Sequence, residues 1–381
     1  MDRIYVDHAA TTPIHPAVID KMTYVMEGIY GNPSSIHSFG REARKIIDEA
    51  RAGIAKRIEC TETEIIFTSG GTEADNYAIF GVAEAYREKG SHIITTVIEH
   101  HAVLHACQEL EKRGFQVTYL PVDDQGKISI KDFQEALRDD TILVTIMYGN
   151  NEVGSIQPIK EIGELLVDHG AVFHTDAVQA FGIEKVSVRE LKVDLLSVSA
   201  HKINGPKGIG FLYAKNGVKL SPRLFGGEQE RKRRAGTENV PAIAGFLEAV
   251  TLIDKEQDLR IEQYQKYKEV LIHTLKKHGV AFHINGSLKD SLPHILNLSF
   301  PGTSVEAMLV NLDLAGIAVS SGSACTAGTV DPSHVLVAMF GKGSPRTIDS
   351  IRFSFGSNNT VEQIERVGEE IAKVVARLTN K

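Results

Sequence analysis

The sequence predicts an α/β fold: a mostly parallel central sheet sandwiched by helices, followed by a smaller α+β C-terminal domain. Three observations carry this. From about residue 60 to residue 215, apolar β-branched runs alternate with amphipathic stretches of helical spacing. Strands alternating with helices mean a mostly parallel sheet covered on both faces. Residues 241–279 then read as long helix, broken at most once, and shorter runs beyond it suit a small mixed unit. The implied division is 1–255 for a large domain and 256–381 for a small one, with the N-terminal segment free to pack on the small domain.

Taken in order, "EIIFTS" (64–69), "HIITT" (92–96), "QVTYLP" (116–121), "ILVTIM" (142–147), "AVFHTDA" (171–177) and "DLLSVSA" (194–200) read as strands. "EADNYAIFGVAEAYREKG" and "IKEIGELLVDHG" have helical spacing, the second closed by a C-cap glycine. The small domain offers "HILNLSFP", "SVEAMLVNLDLAG", "IAVSS", "SIRFSFG" and a final amphipathic helix near 360–378.

Composition narrows the function. The 381 residues carry a formal net charge of −7, so the chain has no general attraction for nucleic acid or anionic membrane. The strongest basic run, "ERKRRAG" (230–236), is short. Three widely spaced cysteines (Cys60, Cys107, Cys325) form neither a disulfide framework nor a metal motif. No metal site is expected. The start has no apolar signal core, and no run of about 18 apolar residues occurs. These features predict a cytoplasmic protein.

In open α/β sheets, ligands bind beyond the carboxyl ends of the strands. After "IIFTS" comes "GGTEADNYAI", where Gly71 and Thr72 open a helix. Free N–H groups there suit an anion, although the stretch alone also fits a simple cap. After "AVFHT" comes Asp176, with Gln179 a helical turn on. A buried carboxylate needs a partner; it could be a capping Asp or the partner of a buried cation. After "DLLSVSA" comes Lys202. It is either a solvated lysine or a nucleophilic amine of depressed pKa. Ser199 and His201 stand beside it as phosphate donors, and Lys207 looks like part of a turn. "IEHHAVL" supplies His100 and His101, and "MYGNNEVG" supplies Asn150 and Asn151. A phosphate cradle, a strand-end Asp and a strand-end Lys, in that order, are what pyridoxal phosphate needs. "SGSACTAG" (321–328) sets Cys325 among small residues, a bare thiol with nothing bulky to bury it. Cys60 and Cys107 sit in helix-like stretches with no partner motif.

The ordered set "YVDHAATTP", "GNPSSIHSFG", "FTSGGTEADN", "EHHAVL", "NNEVG", "HTDAVQA", "SAHKINGPKGIG", "GGEQERKRRAGTEN", "SSGSACT" and "IRFSFG" resembles the cysteine desulfurases. These belong to the fold-type I, class V group of pyridoxal-phosphate enzymes. The resemblance implies roles at the matching positions. Lys202 is the Schiff-base lysine, Asp176 pairs with the pyridine nitrogen, and Gln179 hydrogen-bonds the ring hydroxyl. His100 stacks on the ring and relays protons. Gly71, Thr72, Ser199 and His201 hold the phosphate. Thr237 reaches the phosphate of a neighbouring subunit, which implies a homodimer. Asn151 and Arg352 hold the substrate carboxylate. Cys325 is the sulfur-accepting thiol, and its context resembles the long-loop group, which passes sulfur to a protein.

The implied reaction converts L-cysteine to L-alanine and leaves a persulfide on Cys325. The alternatives are a selenocysteine lyase or a class V aminotransferase of the same fold. The aminotransferase needs no loop thiol. The run 230–236 raises direct nucleic-acid binding, but under the resemblance it belongs to an active-site loop. A relay scaffold without catalysis is a further class, and the intact Lys202, Asp176 and Cys325 argue against it. The family's acceptors are iron–sulfur scaffolds or tRNA-thiolating enzymes. The chain continues 25 residues past "IRFSFG", a shorter tail than some iron–sulfur-linked members use. That favours a tRNA thiouridylase as the acceptor for tRNA thiolation, with iron–sulfur cluster assembly second.

Overall fold

A computed structural model describes residues 3–322, 325–326 and 329–379, with the backbone alone at 325, 326, 329 and 330. The chain begins with β1 (Ile4–Tyr5). The central sheet follows, built from β2 (Ile65–Thr68), β3 (His92–Thr96), β4 (Gln116–Leu120), β5 (Thr141–Thr145), β6 (Val172–Asp176), β7 (Leu195–Ser199) and β8 (Gly210–Ala214). Their order is β2-β8-β7-β6-β5-β3-β4. β8 runs antiparallel to β2 and β7, and the remaining pairs are parallel. All but β4 are buried along their whole length, as expected of strands with helices on both faces. β4 is one of the two edge strands, and it begins on the exposed Gln116.

The predicted strands all form. Two local readings differ. The helix expected to run to Gly170 spans Ile159–Leu166, and Gly170 does not cap it. Its C-cap is Val167, and His169 holds the turn that follows: its backbone N–H reaches Leu166 O at 3.0 Å and its Nδ1 accepts from Ala171 N at 3.1 Å. Cys60 lies in a loop after the helix Ser38–Arg57 rather than inside a helix. Burial and Glu64 push its thiol pKa up to about 12, so it stays an unreactive thiol. Cys107 is fully buried in the helix His101–Lys112, and burial raises its pKa too.

The helix Val240–Lys277 runs unbroken for 38 residues through the expected boundary at residue 255. Asn239 caps it, accepting from Ala242 N at 3.2 Å, and Pro241 sits in its first turn, where the missing N–H costs nothing. Its first part, to Ile253, packs in the core beneath the central sheet. From Tyr264 onward it packs in a second core. That core is roofed by β9 (His283–Asn285) and β10 (Ile295–Ser299), joined by β14 (Ser350–Ser354) in the antiparallel order β14-β10-β9. Between them in the chain come β11 (Ile317–Ala318), β12 (Cys325–Thr326) and β13 (Thr329–Val330). β1 pairs with β11 in parallel, and Asp7 bridges to Ser354. The N-terminal segment is thereby tied to the second core and passes directly over the carboxyl ends of the central strands. Among the described residues no helix is long and apolar enough to cross a membrane.

Candidate active site

The carboxyl ends of β2, β3, β5, β6 and β7 converge on a pocket of about 340 Å³, within the range of sites that take a small ligand. It is lined by Gly71, Thr72, His100, Asn151, Asp176, Gln179, Ser199, His201, Lys202 and Arg352. Nine strand-end residues and one arginine of β14 singled out in the sequence thus share one cavity. A larger cavity, of about 910 Å³, opens at the other end of the strands beside Cys60. It holds none of these groups.

The pocket floor follows from the turn after β2. Gly70 has φ +149°, which lets the chain swing from strand to helix, and the helix Gly71–Ala85 starts at once. A Cβ on Gly71 would meet Val178 Cγ2 at 2.8 Å. Only hydrogen fits there, so the first N–H groups of the helix stay open to the pocket, beside Thr72 and Ser199.

Asp176 ends β6 and is 6% exposed. One of its oxygens accepts from Val178 N at 2.9 Å. Burial raises its pKa, while that N–H and Lys202 oppose the rise. Lys202 follows β7 on a single 3-10 turn. Its Nζ donates to Ala10 O at 2.8 Å and to Ala9 O. Burial lowers its pKa to about 8, aided by Arg352 and opposed by Asp176 and Asp7. The amine is therefore far more often neutral near pH 8 than an exposed lysine.

Of the paired histidines, His100 faces the pocket, caps the following helix and accepts from Ala102 N at 3.2 Å. His101 turns away and packs against His105 and His334, with ring centroids at 5.0 and 4.8 Å. Desolvation and the nearby Lys202 push the His100 pKa well down, so its ring is neutral at physiological pH. Of the paired asparagines, Asn151 lines the pocket. Asn150 is buried structure: its Oδ1 accepts from Glu152 N and Val153 N, and its Nδ2 donates to Ile98 O. Gln179 donates to Ala9 O at 2.9 Å and meets His294 at 3.2 Å. His201 meets Thr11 Oγ1 at 3.1 Å.

Arg352 comes from β14, across the pocket. Its Nη1 donates to Asn151 O at 3.0 Å and its Nη2 to Asp7 at 2.7 Å. Its Nε is buried and has no partner among the described residues. A guanidinium held this way is set for a carboxylate. The loop that carries Cys325 starts from the same place. Ser320 and Arg352 exchange backbone hydrogen bonds at 2.7 and 3.3 Å. At the far end Ser333 donates to the buried Glu152, and Gly322 packs on that same carboxylate, where a Cβ would meet Oε2 at 2.5 Å. Gly322 (φ +83°) is thus required for close approach as much as for freedom. Cys325 is described by its backbone, which pairs with Val330; the position expected for its thiol lies outside the described residues.

Thr237 is the one cofactor residue outside this pocket. It lines a separate cavity of about 140 Å³ with Ser69, Glu230 and Arg234. The basic run before it is spent on internal contacts. Arg234 makes a two-pronged bond to Glu73 at 2.8 and 3.1 Å, and Arg233 donates to Thr63 O at 2.8 Å. Glu230, Arg231 and Lys232 all take φ between +47° and +67°, a strained run for residues with a Cβ. A buried ion pair holds it: Arg51 reaches Glu230 at 2.7 and 2.9 Å, and Phe67 N donates to Glu230 at 3.1 Å. Removing one partner of such a pair strands a buried charge. Glu230→Ala should therefore lower unfolding stability by about 3–5 kcal/mol in a denaturant titration.

The sequence reading missed four contributors, three of them in one N-terminal stretch. Ala9 and Ala10 supply the carbonyls that hold Lys202, and Asp7 holds Arg352. All lie in "YVDHAATTP", whose match carried no assigned role. Asp75 also lines the pocket; its only signal was a carboxylate four residues past the glycine turn.

The residues fit pyridoxal phosphate by their chemistry: a helix start opened by glycine for an anion, a buried carboxylate for a protonated ring nitrogen, and a buried, partly neutral amine for the aldehyde carbon. Fold and pocket together define a pyridoxal-phosphate-dependent enzyme of fold type I. The model of the class-V aminotransferase family matches residues 4–367. Over 379 residues the chain is 64% identical to IscS 1 of Bacillus subtilis strain 168, covering 100% of both chains. It is 48% identical to the cysteine desulfurase IscS of Methanosarcina thermophila, covering 99% of this chain and 93% of that one. A solved NifS-like protein superposes with a TM-score of 0.92 at 36% identity, covering 98% of this chain and 100% of that chain. The chain belongs to the class-V aminotransferase family and, within it, to the cysteine desulfurases.

Proposed function

We propose that this cysteine desulfurase works through Lys202, Asp176, His100, Arg352 and Cys325, and hands its sulfur to an acceptor protein. The observation that carries the assignment is the gathering of the first four in one cavity, with the Cys325 loop anchored on the backbone of Arg352. When bound, the cofactor supplies an electron sink for the carbanion formed at the substrate Cα. Gly71, Thr72, Ser199 and His201 hold its phosphate, and Asp176 and Gln179 hold its ring. Arg352 and Asn151 fix the substrate carboxylate, which sets the Cα–H bond towards Lys202. The Lys202 amine takes that proton; its lowered pKa lets it act as a base near neutral pH. His100 carries a proton between the substrate sulfur and the pocket. Cys325, as thiolate, attacks that sulfur. The S–S bond forms as the C–S bond breaks, so the substrate carbon is reduced, Cys325 is oxidised to a persulfide, and no outside oxidant is needed. A proton added at Cβ and the proton returned to Cα give alanine.

Thr237, outside its own pocket, completes the phosphate site of a second copy. Exposed apolar side chains support the homodimer: Tyr24 is 65%, Tyr30 75% and Phe225 86% exposed, the last on the loop leading to Thr237. For the acceptor we propose a protein of one of the family's two classes, a tRNA-thiolating enzyme or an iron–sulfur scaffold.

The test is product stoichiometry from L-cysteine with excess reductant. Equal alanine and sulfide are expected. Sulfide with pyruvate and ammonia instead of alanine would mean elimination, and would overturn the assignment. Sulfur transfer from the labelled persulfide to each class of acceptor, compared side by side, tests the partner.

A further inference from the structure

Beside Asp176 stands a second buried carboxylate. Asp75 is 1% exposed, on the helix Gly71–Ala85, and one of its oxygens comes within 4.8 Å of an oxygen of Asp176. One oxygen, Oδ1, is buried without a hydrogen-bond partner among the described residues. Its nearest basic group is His174 Nε2, at 3.7 Å. His174 is no counter-ion. Its ring is spent on Thr145 Oγ1 at 2.8 Å and Ser197 Oγ at 2.9 Å, and burial holds its pKa at about 3. The other groups facing Asp75 are Ser197 from β7, Asp176 from β6, Glu99, also buried, and His100 across the pocket. The charged form of Asp75 thus has two carboxylates for neighbours and no cation of its own. The charge of Lys202 favours the Asp176 anion, and Asp176 also has the Val178 N–H.

Two carboxylates this close and this deeply buried do not both ionise. Asp176 has the better-solvated anion. We propose that Asp75 is a positioning residue for the ring-nitrogen site: held as a neutral acid, it leaves Asp176 as the only anion there and gives it a neutral, polar wall. The pocket then presents one negative charge to one protonated ring nitrogen, and the ring stays protonated through turnover. Burial and Asp176 both push the Asp75 pKa well up, in line with this. The inference rests on the reading that Asp176 faces the ring nitrogen.

The experiment uses the holoenzyme and three variants. If Asp75 is a neutral acid, Asp75→Asn changes no charge. The pH midpoint of the cofactor's visible band should stay within about 0.3 units of the parent. Difference infrared spectra should lose one protonated-carboxyl C=O band. Asp75→Leu, which removes the polar wall, should lower kcat by about tenfold at similar KM. A downward shift of the midpoint by about a unit or more in Asp75→Asn would mean that an anion was removed, and would overturn the proposal. So would an unchanged carboxyl band, or an unchanged kcat in Asp75→Leu. Asp176→Asn separates the two failures: if it leaves the visible band and turnover intact, the reading of Asp176 itself is at fault.

Discussion

Lys202→Ala should abolish the visible absorbance of lysine-bound cofactor and cut alanine formation by at least about a thousandfold. Lys202 is the only amine lining the pocket among the described residues, so nothing can take its place. Lys207, the nearby lysine, is exposed on the following turn. The same amine sets a pH signature. Its pKa is lowered to about 8 because burial disfavours the ammonium form. Only the neutral amine captures the cofactor aldehyde. The rate at which apoprotein recovers the visible band should therefore rise with pH up to about 8 and level off above it. A rate still climbing tenfold per unit above pH 9 would mean an ordinary, exposed lysine, and would remove the basis for its role. Absorbance after rapid mixing reads both results.

Cys325→Ala should have an equally large effect of another kind. Every residue that lines the pocket remains, so the cofactor band and its pH dependence are retained. Alanine and sulfide release fall by at least about a thousandfold, because no thiolate remains to take the sulfur. No persulfide appears by mass spectrometry of the intact chain. An ordinary free thiol has a pKa near 8.5, so the parent rate rises with pH as the thiolate fraction grows. Retained desulfuration in the variant would assign sulfur attack to another group. Cys60 is a poor substitute, with its pKa pushed up to about 12, and Cys107 is fully buried.

These two residues were legible from the sequence for different reasons. Lys202 lies just beyond a β-branched run, and an open parallel sheet presents such positions to ligand. Cys325 stood out by composition, a thiol among Ser, Gly, Ala and Thr. Other residues were legible only as pairs. Nothing in "EHHAVL" or "GNNEVG" tells which neighbour points inward. That depends on how the segment caps the next helix: His100 takes the N-cap and faces the pocket, and Asn150 turns inward to satisfy three backbone groups. The C-cap glycine expected at Gly170 failed because the helix already stops at Leu166, and the His169 ring holds the turn beyond it.

What the sequence determined by itself is the layer order, the strands and the residue types at their carboxyl ends. These follow from local periodicity and turn chemistry, which act over a few residues. Tertiary structure alone decided how distant groups share charge and geometry. It laid the N-terminal carbonyls of Ala9 and Ala10 on Lys202, set Arg352 of β14 across from Asp176, and brought Asp75 beside Asp176. The reason is physical. Burial and Coulomb terms depend on distance in space within a water-poor pocket, and separation along the chain carries no information about that distance.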